Sequence, residues 1–159
     1  MARTPLPSTQ RSLPIALIRA REKVMAPIRD MLQASGLTEQ QWRVLRVLAE
    51  HAALDATALA ERAALLQPSL TRILKTLGER NLLQRRQDAD DRRRQVVQLT
   101  PKGHALLAAN MLEATRIATA LSATVGAEDL EHLLDLLERL ERFEMPQGTK
   151  RSQAEPSSS

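Results

Sequence analysis

From Ser12 to about Ala34, apolar residues recur as Leu13, Leu17, Ala20, Val24, Ile28 and Met31, the three-and-four spacing of a helix with one buried face. Pro27 lies within that stretch and should kink or split the helix, because it has no N–H and its ring crowds the preceding turn. Gly36 ends it. Thr38 then stands three residues before Gln41, a capping-box pattern that opens a second helix with Trp42, Leu45 and Leu48 on its inner face. Asp55 can cap a short third helix in DATALAERA, and a four-residue connection, ALLQ, leads into PSLTRILKTLGER. There Pro68 suits the first helical position, and Leu70, Ile73, Leu74 and Leu77 form the apolar stripe.

The period then changes. Asn81 tolerates the left-handed backbone that closes a helix. In RQVVQL, Val97 and Leu99 alternate with Gln98 as a half-buried strand does, and Leu82 and Leu83 can supply a second strand. The ribbon's tip is QDADDRR. Thr100 as N-cap and Pro101 as first helical residue open a long helix running to about Val125, where Gly126 breaks it. The last helix carries Leu130, Leu133, Leu134, Leu137, Leu140 and Phe143 on one side, widened by Leu136. The fold class is therefore mainly α with a small β-ribbon. Leucine density at both chain ends exceeds what one small core needs, which suggests helices buried against a second subunit, the alternative being that these leucines only fill the core of one chain. Residues 1–11 and 146–159 are polar and Pro- or Ser-containing, and are expected to be disordered tails.

Composition narrows the function. At 159 residues the chain is long enough for one self-sufficient domain, and with no cysteine it has no disulfide framework, thiolate zinc site or thiol redox switch. No apolar run approaches the ~18 residues of a membrane span, and the start lacks the apolar core of a secretory signal, so a cytoplasmic protein is expected. Net charge is +4 but unevenly spread. Between Gln67 and His104 there are nine Lys and Arg against four Asp and Glu, whereas Ala127 to Glu144 holds two against seven. A sequence pI near 10.3 makes nucleic acid a candidate partner. The only aromatic residues are Trp42 and Phe143, too few to stack bases, so the nucleic acid should be double-stranded DNA. His51, His104 and His132 are isolated, and the five glycines form no phosphate loop. No catalytic residue, metal or cofactor is expected.

Two short helices joined by a tight connection, the second presenting Ser69, Thr71, Arg72, Lys75 and Thr76 on its polar face, match a helix-turn-helix. Alone this is a weak signal, because many enzymes carry such pairs. Together with DADDRRRQVVQLTPKG (residues 88–103) it becomes specific. The order of elements, and the pattern Asp91, Arg93, Val97, Leu99, Thr100 and Gly103, resemble the MarR family of winged-helix transcription regulators. Thr71-Arg72 and Leu83 to Arg85 extend the resemblance. Asn81 departs from it, standing where the family usually has glycine.

The resemblance implies a winged helix-turn-helix lobe over residues 36–100 within a domain spanning 12–145, with dimerisation helices at 12–34 and 101–145. It places the helix beginning at Pro68 in the major groove, with Arg72 suited to a bidentate contact to guanine, and Lys75 and Arg80 near phosphates. Arg93 becomes the residue inserted into the minor groove, aimed by pairing of Asp91 with a neighbouring arginine. Arg92 and Arg94 support it, Arg94 contacting phosphate or nothing. A homodimer would read an inverted-repeat operator. Family members commonly bind small aromatic acids that weaken operator binding. Here Arg19, Arg21, Trp42 and Arg46 are candidates for holding the carboxylate and ring of such an effector, against the alternative of Trp42 as core filler and the arginines as solvated surface. The expected function is repression of an aromatic-compound catabolic operon. The rival is a helical dimer that binds protein without DNA.

Overall fold

In a computed structural model, residues 8–145 are described, and most of both expected tails lies outside them. Thr9–Arg11 form one 3-10 turn, where a disordered tail was expected. Six helices follow in the order α1 (Leu13–Gln33), α2 (Glu39–Glu50), α3 (Ala56–Arg62), α4 (Gln67–Glu79), α5 (Pro101–Val125) and α6 (Ala127–Glu141), with strands β1 (Leu83–Gln87) and β2 (Gln95–Leu99) between α4 and α5. The chain divides between Leu121 and Ser122 into two compact units.

In the first unit, capping residues set the boundaries. Thr38 Oγ1 accepts from Gln41 N at 3.2 Å while Gln41 Oε1 accepts from Thr38 N at 3.0 Å, so both orphan donors of the capping box are satisfied. Asp55 Oδ1 accepts from Ala58 N at 2.8 Å and starts α3. Thr100 Oγ1 accepts from Gly103 N at 3.1 Å and donates to the Asn81 carbonyl at 2.7 Å, so one hydroxyl both opens α5 and holds the end of α4. Asn81 takes φ +57°, the left-handed closure expected of it.

One core lies beneath these helices. Leu32, Val44, Leu45, Leu48, Leu59, Leu70, Leu77 and Leu82 are its largest fully buried side chains, with Trp42, Val97, Leu99 and Leu107 around them. The ribbon is antiparallel with Leu83 opposite Leu99 and Gln87 opposite Gln95, so its hydrophobic end joins the core and its polar end projects. β2 has a second neighbour that the strand pattern did not reveal. Leu54 and Val97 exchange backbone bonds of 3.1 and 2.7 Å, seating the ribbon against the start of α3.

Two expectations for α1 change. Pro27 does not split it. The carbonyl it leaves without a donor belongs to Lys23, an exposed residue, where water can satisfy it. The expected buried face is buried only at its end: Leu32 is covered and Ile28 and Met31 pack against the core, whereas Leu13 is 52% and Leu17 38% exposed. The residues before the core simply extend past it. In the second unit, α6 buries none of its residues, and Leu133, Leu134 and Leu136 are exposed. Gly126, at φ +95°, supplies the break between α5 and α6.

Candidate functional site

α3, the turn after it and α4 form the helix-turn-helix. α3 closes with Leu65 N donating to the Ala60 carbonyl at 2.9 Å and Ala64 N to Glu61 at 3.0 Å, with Ala64 itself at φ +50°. On α4 the buried stripe Leu70, Ile73, Leu74 and Leu77 leaves Thr71, Arg72 and Lys75 exposed and Ser69 and Thr76 half-buried. Thr71 and Thr76 hydroxyls donate back to the carbonyls of Gln67 and Arg72, at 3.0 and 3.1 Å. Their methyls and lone pairs are what remain for a partner. Lys75 stands 4.0 Å from Glu79, a loose pair in full solvent that leaves its charge largely available. The Arg72 guanidinium makes no hydrogen bond or ion pair with any described residue, so its five donors are free.

Arg80 is placed differently from the expectation. Its guanidinium donates to the carbonyls of Gly36 at 2.9 Å and Ser35 at 3.0 Å, filling acceptors left open after α1. It braces the end of α4 against the α1–α2 connection, because a helix end offers unpaired carbonyls that a fork of donors fits.

The wing tip is organised by aspartates, through the backbone. Asp88 Oδ1 accepts from Asp90 N at 2.9 Å, and Asp88 N donates to the Arg94 carbonyl at 2.8 Å. Asp91 Oδ1 accepts from Arg93 N at 2.9 Å, and Asp91 pairs with no guanidinium among the described residues. This corrects the expected Asp91–arginine pair: a short side chain reaches the N–H two residues on more easily than it reaches a long neighbour's head. The result is a fixed loop from which the exposed guanidiniums of Arg92 and Arg93 extend without partners among the described residues. Arg94 has an internal partner that the sequence did not suggest. It bonds Asp55, whose other oxygen caps α3, so the base of the wing is pinned to the helix-turn-helix. Asp55→Ala, which removes the cap and the pair, should cost roughly 1–2 kcal/mol in urea unfolding. Arg94→Ala should cost less, since its pair is half-exposed, and the double variant should fall short of the sum.

A second feature lies between α1 and α2, within the first unit. A cavity of about 350 Å³ is lined by Arg21, Met25, Ile28, Glu39, Trp42, Arg43 and Arg46. Three of the four expected effector residues meet there. Arg19 does not, and instead donates to the Gln10 carbonyl at 3.2 Å. Two residues of a helix turn through about 200°, so Arg19 and Arg21 cannot share a face. Trp42 serves both readings at once, packed in the core and lining the cavity.

The residues that sequence reasoning missed here are mainly Glu39 and Arg29. Glu39 Oε2 accepts from Arg21 at 2.7 Å and Oε1 from Arg29 at 2.8 Å, while Glu22 bonds the same two arginines at 3.0 and 2.9 Å, closing a ring of four charges. The hydrogen bond from Arg29, more than any other cause, holds the Glu39 carboxyl below its ordinary value of 4.5. Its place in the first turn of α2 was the available signal, since carboxylates favour helix N-termini. A depressed carboxyl contributes stability above its unfolded value and loses it as pH falls through the folded one. Wild type should therefore be more stable than Glu39→Gln near pH 7, and the gap should close on titration toward about pH 3, followed by thermal unfolding.

Among the described residues there is no group of three or more His, Asp or Glu placed to hold a metal ion. Residues 37–94 match the model of the MarR family. The homoprotocatechuate degradative operon repressor of Escherichia coli is 39% identical over 127 residues, covering 80% of this chain and 86% of that protein. Among solved structures, NadR in complex with 4-hydroxyphenylacetate superposes with a TM-score of 0.75 at 38% identity, covering 89% of this chain and 100% of that one. CouR, a transcriptional repressor bound to a 23-mer DNA duplex, gives 0.75 at 28% identity, with 89% and 100% covered.

Proposed function

The chain belongs to the MarR family of transcription regulators, not to a family of enzymes, and from that premise we propose that it is the homodimeric repressor of an aromatic-compound catabolic operon, released from its operator by a small aromatic acid. The observation that carries the effector half is the cavity in which Arg21, Trp42 and Arg46 converge. Its size suits a single-ring ligand, with the Trp42 indole in its wall and guanidiniums that take a carboxylate in a two-pronged bond. The DNA half rests on α4 and the wing, where Arg72, Arg92 and Arg93 project without internal partners. Ser69, Thr71, Lys75 and Thr76 border Arg72 on the face offered to the major groove.

Two copies are needed because one helix and one wing bury too little for specific affinity. The exposed leucines of α1 and α6 support a dimer that covers them, and its two-fold symmetry calls for an inverted repeat with half-sites about one DNA turn apart. The absence, among the described residues, of a helix long and apolar enough to cross a membrane is compatible with a cytoplasmic site of action.

Fluorescence anisotropy on duplexes tiled across the region upstream of the chain's own gene, at low and high salt, tests the proposal. Saturable, sequence-dependent binding that 4-hydroxyphenylacetate or another aromatic acid reverses is the expected result. Absence of any such binding would leave the protein-binding adaptor as the better description.

A further inference from the structure

Four basic or acidic side chains line the α1–α2 cavity on its polar side, and one of them has no charged partner. Arg21 is committed to Glu22 and Glu39, and Arg46 to Glu50 at 3.4 Å. Arg43, beside them, has only a neutral acceptor among the described residues: Nη1 donates to the Ala64 carbonyl at 3.5 Å. Ala64 is the left-handed residue in the turn between α3 and α4. The same guanidinium thus faces the cavity and touches the helix-turn-helix.

We propose that Arg43 is the positioning residue that passes occupancy of this cavity by a carboxylate to the recognition helix; this rests on the effector reading above. The direction of the exchange follows from bond strengths. A contact of 3.5 Å to a neutral carbonyl is at the weak end of hydrogen bonding, whereas a guanidinium–carboxylate pair is shorter, about 2.7–2.9 Å, and roughly twice as strong as a neutral bond. A carboxylate entering the cavity takes Arg43 away from Ala64. An alanine in the left-handed region is disfavoured on its own, so the turn loses support where its backbone is most costly.

The opposite end of α4 is held by several good bonds. Arg80 braces it against the carbonyls of Ser35 and Gly36, Lys102 Nζ donates to the Arg80 carbonyl at 3.0 Å, and Thr100 secures Asn81. With its C-terminal end held by these bonds and the turn before its N-terminal end losing the Arg43 contact, α4 tilts about the Arg80 end while Leu70 stays in the core. Ser69, Thr71 and Arg72, nearest the free end, move furthest. A helix held equally at both ends would lack this asymmetry.

The test reads the ratio of operator Kd with and without saturating 4-hydroxyphenylacetate, saturation being verified for each protein by calorimetry. Wild type is expected to show a ratio of at least about tenfold, the scale of ordinary allosteric coupling. Arg43→Met, with ligand raised to saturation, should bring the ratio below about twofold. A purely structural role would change melting or ligand affinity without changing the saturated ratio. If Arg43→Met fails to fold, Arg43→Lys, which keeps the charge but cannot face both ways, should show the same loss of ratio. A wild-type ratio in a folded, saturated variant overturns the inference while leaving the effector reading intact. Failure of wild type to bind any phenylacetate, hydroxycinnamate or benzoate overturns the effector reading itself, and the inference with it.

Discussion

Arg93→Ala should weaken operator binding by at least about a hundredfold while leaving helix content, dimerisation and thermal stability unchanged. Asp91 holds the Arg93 N–H at 2.9 Å, and Asp88 ties the two ends of the tip together, so the Cα of Arg93 is presented at a fixed point without its guanidinium being spent. A guanidinium delivered this way into a narrow minor groove meets concentrated negative potential and loses little conformational entropy. Charged hydrogen bonds of this kind are worth about 1.5–3 kcal/mol each, and a symmetric dimer makes the contact twice. Arg92→Ala is the internal control, with a smaller loss and a salt dependence shallower by about 0.9 in log–log slope per half-site if it meets a phosphate. Asp91→Ala should fall between the two, since it frees the loop but keeps the charge. Anisotropy titration of all three on one operator decides the order, and an unchanged Kd for Arg93→Ala would remove the wing from the recognition model.

Gly103→Ala should cost roughly 3 kcal/mol or more of stability and abolish operator binding with it. A Cβ at Gly103 would overlap the Leu82 carbonyl oxygen and press within 3.3 Å of Leu99 Cδ2. Neither neighbour can yield. The Leu82 carbonyl accepts from Thr100 N at 3.2 Å, and Leu99 is part of the core. This joint sets where the end of α4, the ribbon and the start of α5 stand relative to one another, so any relief of the clash moves the wing against the recognition helix. Gly78→Ala makes the contrast. There the nearest atom to an added Cβ is Leu83 Cδ1 at 3.9 Å, ordinary contact in the last turn of α4, so that substitution should stabilise by a fraction of the roughly 1 kcal/mol that Ala gains over Gly within a helix. Urea unfolding of the two variants should therefore move in opposite directions.

The elements themselves were readable along the chain because each rests on local chemistry. Thr38 with Gln41, Asp55, Asn81 and Thr100 with Pro101 all act within three residues, and the structure places helix ends and the left-handed closure at them, while α4 begins one residue before Pro68. The face of α4 was readable for the same reason, since its apolar stripe defines its complement. The roles of charged residues were less so. Asp91 and Arg93 were correctly joined, but through the wrong atoms: sequence shows that an acid and an arginine are neighbours, not whether the side chain or the backbone donates. Arg80 and Arg94 looked like spare cations for phosphates and became internal braces, because their partners, the Gly36 carbonyl and Asp55, lie 44 and 39 positions away.

By itself, the sequence determined the order and ends of the helices, the ribbon with its polar tip, the basic middle and acidic end, and the resemblance that the relatives bear out. Each depends on residues adjacent in the chain or one helical turn apart. Only the tertiary structure decided which cations are committed and which are free, that Leu54 completes the edge of the ribbon, that Glu39 and Arg29 close a ring of charges, and that Arg43 spans from the cavity to the turn before α4. Those facts depend on which distant segments the core brings together, and a side chain's charge carries no record of the partner it will find there.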